Sequence, residues 1–84
     1  MGRHERLLQT ILHGRSDANI RFADLCALLR QLGFSERIRG SHPLFDKEGV
    51  VELINLQSQV GQVKPYQVKQ VRQLILKYRL GEEI

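Results

Sequence analysis

The chain has 84 residues, 13 Lys and Arg against 9 Asp and Glu, a formal net charge of +4 and a sequence pI of about 9.7. Its 42% apolar and 26% charged residues are globular composition and exclude a disordered segment, although a domain this small buries only about 60–65% of its unfolded surface. No apolar run approaches the ~20 residues of a membrane span, the start Met1-Gly2-Arg3-His4-Glu5-Arg6 lacks an apolar signal core, and the single Cys26 has no partner for an internal disulfide.

These features set the expectation of one cytoplasmic domain in a reducing compartment, with no membrane partner. The positive balance favours a polyanionic partner, nucleic acid first and an anionic membrane surface or an acidic protein second.

Leu7, Leu8, Ile11 and Leu12 fall on one stripe of a predicted first helix from Arg3 to His13, and Gly14 stops it. Arg15-Ser16-Asp17-Ala18-Asn19 reads as a polar linker, so residues 1–21 form an extension and residues 22–84 the main domain. The stripe needs cover, either from the main body or from a second copy in a homodimer built through this helix. His4 and His13 are expected in solvent.

A second helix is predicted from Phe22 to Leu32, with Phe22, Leu25, Leu28, Leu29 and Leu32 on one face. Gly33 is placed for a left-handed cap, with Phe34 folding back onto the last turn. Cys26 lies within this helix and reads as a small buried hydrophobe rather than a reactive thiol.

Three strands follow. The first covers Phe34 to Arg39, with Phe34, Glu36 and Ile38 on one face and Ser35, Arg37 and Arg39 on the other. The second runs from His42 to Asp46, and Asp46-Lys47-Glu48-Gly49 turns into a third from Val50 to Gln57. That third strand is apolar on both faces, which predicts a central or well-covered position. Residues 58–65 read as a loop, and a last helix runs from Tyr66 to Arg79, with Arg72 and Arg79 flanking its apolar arc within reach of the sheet edge. The order predicts an α+β two-layer sandwich. It has a double-stranded-RNA-binding-like α-β-β-β-α arrangement, a three-stranded antiparallel sheet and an extra N-terminal helix.

Gly40-Ser41-His42 carries the chemistry. Gly and Ser make the turn, which sets His42 at the start of a strand with Arg37 and Arg39 just before it. Moving a phosphodiester takes a proton carrier with a pKa near working pH, which His supplies, and a planar donor for phosphate, which Arg supplies. His42 is the candidate acid/base and Ser41 the group to orient it or donate to phosphate. Arg37, Arg39, Lys47 and Lys64 are the candidate backbone contacts. Asp46 and Tyr66 are the other groups able to hold a proton. The alternative for His42 is an ordinary surface histidine. The three histidines show no metal-ligand spacing, so no metal and no cofactor are expected.

Phe22-x-x-Leu25-x-x-Leu28-Leu29-x-x-Leu32-Gly33-Phe34, followed by Arg39-Gly40-Ser41-His42-x-x-Phe45, an apolar third strand and a Lys-Pro step before the last helix, resembles the HicA family. The resemblance covers about Phe22 to Leu80. It implies a double-stranded-RNA-binding-like fold, metal-independent mRNA cleavage as an interferase toxin, catalysis at the position of His42, and neutralisation by a HicB-like antitoxin. The sequence departs from the family pattern in residues 1–21, in Pro43 where a second histidine often stands, in Leu56-Gln57-Ser58 where Pro-x-His often stands, and in Tyr66 where the family has Gly. A non-catalytic RNA-binding or protein-interaction module of the same fold is the alternative.

Overall fold

The aliphatic stripe at residues 7–12 coils into α1 (Arg3–His13) in the computed structural model, which describes residues 2–40 and 42–82. Gly14 closes the helix at φ 72°, where a Cβ would be strained, and its N–H bonds to the Thr10 and Ile11 carbonyls. The second helix, α2 (Phe22–Gln31), ends as the sequence predicts. Gly33 takes φ 99°, the Phe34 N–H reaches the Leu29 carbonyl at 3.0 Å, and the Phe34 ring is buried.

Three strands then form an antiparallel sheet in the order β1 (Ser35–Arg39), β2 (His42–Lys47), β3 (Val50–Asn55). Glu36 pairs with Phe45 and Phe45 with Ile54, so these residues share the inner face, where Phe45 and Ile54 are fully buried. The register shifts by two between Phe45–Ile54 and Lys47–Val50. Three residues of β3, Val51 to Leu53, therefore stand opposite Asp46 alone. The last helix, α3 (Pro65–Tyr78), begins on Pro65, whose missing N–H costs nothing at a first helical position.

The protein is thus α+β, with three helices and a three-stranded antiparallel sheet. One continuous core joins Leu8 and Ile11 of α1, Leu25, Leu28 and Leu29 of α2, Phe45 and Ile54 from the sheet, Leu56 just past β3, and Val68, Val71, Leu74 and Ile75 of α3. The stripe of α1 is therefore covered by the chain's own helices, and burying it takes no second copy. Among the described residues no helix is long and apolar enough to cross a membrane.

Five expectations are corrected. The third strand is neither central nor covered on both sides. It is an edge strand ending at Asn55, and Val51 and Leu53 are 86% and 56% exposed, because the helices cover only one face of the sheet. Residues 58–65 are more than a loop. β4 (Ser58–Gln59) and β5 (Gln62–Val63) form a small hairpin that bonds back to the chain before α2, through Phe22 N–H to the Gly61 carbonyl and Val63 N–H to the Ile20 carbonyl.

Residues 15–19 are not a free linker, since Asp17–Asn19 form a 3-10 turn. Arg72 does not reach the sheet edge; it turns to that 3-10 turn and bonds Asp17. His4 is half-buried rather than free in solvent, whereas His13 is exposed.

Candidate functional site

The chain reverses between Arg39 and His42, which face each other as backbone partners at one end of the β1–β2 ladder. His42 is exposed. Successive strand side chains alternate faces, so His42, Leu44 and Asp46 point away from the core while Pro43 and Phe45 point into it. Arg37 and Asn55 lie on either side of Leu44 in register, on the same outer face. Among the described residues no hydrogen bond ties the imidazole of His42. Its backbone is fixed by the sheet, and the ring itself is open to whatever approaches the uncovered face.

Arg37 is 62% exposed and donates from Nη2 to Asp46 Oδ2 at 3.0 Å, a diagonal cross-strand pair. The other Asp46 oxygen is shielded and has no partner among the described residues. A phosphate approaching Arg37 competes with this carboxylate for the same guanidinium, whose other donors make no bond among the described residues. Asp46 is thereby committed to a cation and is poorly placed as a second proton-transfer group. Ser41 and the side chain of Arg39 lie outside the described residues.

The two candidate lysines are separated. Lys47 ends β2, about 17 Å along the strand from His42 by the ordinary rise per residue. Its ammonium lies 2.7 Å from where a Cβ on Gly33 would stand, against the C-terminal end of α2, where a cation offsets the helix dipole. Lys64 is at the His42 end. The Leu56 N–H donates to the Pro43 carbonyl at 3.2 Å, Gln57 follows, and Lys64 Nζ donates to Gln57 Oε1 at 3.3 Å. Tyr66, exposed on the first turn of α3, follows Lys64 by two residues.

Two groups went unnoticed in the sequence. Gln67 is 4% exposed, with its amide bonded to the backbone at Asn55 and Gln57. Its signal was spacing, because it precedes Val71 and Leu74 by four and seven residues on the apolar arc. The second group is a carboxylate at the opposite end of the molecule. Glu52 accepts from the Tyr78 hydroxyl at 2.6 Å and from Lys77 Nζ at 2.9 Å, and these bonds hold its carboxyl down at about 2.

Cys26 is buried, and burial, reinforced by the charge of Glu36, pushes its thiol up to about 11. It is a protonated core side chain at neutral pH and no nucleophile. Among the described residues no three or more His, Cys, Asp and Glu gather as a metal-ligand set. Comparison of the chain with family models, with curated proteins and with solved structures gives no match.

Proposed function

We propose that this protein is a HicA-like ribonuclease, an mRNA interferase that cuts RNA without a metal ion and uses His42 as its acid/base. One observation carries the reading. His42 is exposed at the first residue of β2, on the sheet face that no helix covers, with Arg37 on the same face. The order α2-β1-β2-β3-α3, with the core on one face of the sheet, supports the double-stranded-RNA-binding-like arrangement that goes with this reading.

In the reaction His42 takes the proton of a ribose 2′-hydroxyl, and the 2′-oxygen forms a bond to phosphorus as the bond to the 5′-oxygen breaks. The departing oxygen takes a proton from the imidazolium or from water. Arg37, Arg39 and Lys64 meet the phosphate charge. One histidine serving both proton steps makes for slow turnover, which suits a toxin acting on growth.

A protein partner fits the same face. Val51 and Leu53 on the outer side of β3 are aliphatic and exposed, and half-buried Leu44 lies beside them on β2. Aliphatic groups are poor RNA contacts and good protein contacts. A HicB-like antitoxin seated there would cover His42 as well. The single buried, free thiol fits a reducing, cytoplasmic setting.

The test is product chemistry. Incubating a defined RNA with the protein in EDTA should yield 2′,3′-cyclic phosphate and 5′-hydroxyl ends. Intact RNA across pH and salt, with binding retained, would leave a non-catalytic RNA-binding module in place of the enzyme.

A further inference from the structure

We infer that Gln67 and Gln57 are positioning residues that fix Lys64 as a phosphate-contacting cation at the His42 end of the sheet, an inference that rests on the ribonuclease reading above. Gln67 sits among Val68, Val71 and Leu74, where an aliphatic side chain would be ordinary. An amide is retained in such a place only if its bonds are made, since a buried polar group without partners is costly.

Both ends of the Gln67 amide are satisfied. Its Oε1 accepts from the Gln57 N–H at 2.9 Å and its Nε2 donates to the Asn55 carbonyl. Between those two residues, Leu56 donates its N–H to the carbonyl of Pro43, the neighbour of His42. Three consecutive residues are thus pinned, two to α3 and one to β2 beside His42.

The Gln57 side chain then extends this frame outward, accepting from Lys64 Nζ at 3.3 Å. The Lys64 backbone is fixed as well, because its carbonyl accepts from the N–H groups of Gln67 at 2.9 Å and Val68 at 3.3 Å. Lysine ordinarily roams on a flexible stem, and here one bond holds the ammonium, while its other two N–H donors make no bond among the described residues. It is held at the N-terminal end of α3, where the helix dipole also favours an anion.

Purely structural bonds would end at the backbone of Asn55 and Gln57. Neither Gln57 nor Lys64 belongs to the buried core, and the bond between them orients a charge.

The test uses the full chain and a labelled single-stranded RNA. Affinity is measured across salt concentrations in a His42→Ala background, where the RNA survives. Gln57→Met removes the bond to Lys64 and keeps the backbone bond to Gln67, so it tests the relay even if Gln67→Met fails to fold. Gln57→Met should weaken RNA binding severalfold and flatten the slope of log affinity against log salt by up to about 0.7, the share of one phosphate on a single strand.

Lys64→Gln should do the same, and combining the two should add nothing further. With His42 restored, Gln57→Met should raise KM for RNA more than it lowers kcat. Wild-type affinity in Gln57→Met, or losses that add in the double variant, would overturn the relay while leaving the ribonuclease reading intact. Failure of the parent protein to bind RNA or of wild type to cleave it would overturn both.

Discussion

Arg72 grips Asp17 with both ends of its guanidinium, Nη1 to Oδ1 at 2.9 Å and Nη2 to Oδ2 at 3.1 Å, while Nη1 also donates to the Ile11 carbonyl at 3.1 Å. One side chain of α3 thus holds the end of α1 and the turn that follows it. Gly14 allows this approach, because a Cβ there would lie 3.2 Å from Nη1. The Asp17 carboxylate holds the Arg72 guanidinium further above its already high pKa, so the arginine stays charged at any working pH.

Replacing Arg72 by Met should lower Tm measurably, because it leaves the Asp17 carboxylate and the Ile11 carbonyl without their shared donor. Arg3→Ala, which breaks a pair between a largely exposed arginine and Asp24, should change stability by no more than about 0.5 kcal/mol. Thermal melts of the two variants in one buffer decide the matter. Equal small shifts would mean that Arg72 is as dispensable as Arg3.

Ile11 is fully buried in the common core. Ile11→Ala should cost about 2–5 kcal/mol, which in a domain of this size lowers Tm by about 8 °C or more. Deleting residues 1–17 should be worse, since it also removes Leu8 and frees Arg72. A truncated protein with wild-type stability would show that α1 is an appendage after all.

Glu52 makes stability depend on acid. Its carboxyl falls from an ordinary 4.5 to about 2 on folding, held first by the Tyr78 hydroxyl and then by Lys77. A depressed carboxylate stabilises the fold fully above its unfolded pKa and loses that effect as pH falls towards the folded value. The Tm difference between wild type and Glu52→Gln should therefore be full above about pH 4.5 and shrink towards pH 2. Parallel melting curves across that window would show that the three residues are not coupled in solution.

Much of this fold was legible because helical stripes and glycine stops are local signals. The bounds of α1 and the cap at Gly33–Phe34 follow from spacing alone. The coverage of β3 did not, since Val51 and Leu53 look like core residues until the single helical layer leaves their face of the sheet uncovered. Two-residue strands such as β4 and β5 are too short to show alternation. At the candidate site, the place of His42 at the head of β2 could be read from Gly40 and Ser41. The separation of Lys47 from Lys64 could not, because it depends on which end of the sheet each element returns to.

The central claim is that His42 moves protons in RNA cleavage, and the rate of RNA cutting by wild type against His42→Ala in EDTA tests it most directly. Positioned acid–base catalysis is worth about 10²–10⁴-fold, so the account predicts a loss in that range with the melting curve unchanged. A folded His42→Ala protein that cuts RNA at the wild-type rate would contradict it.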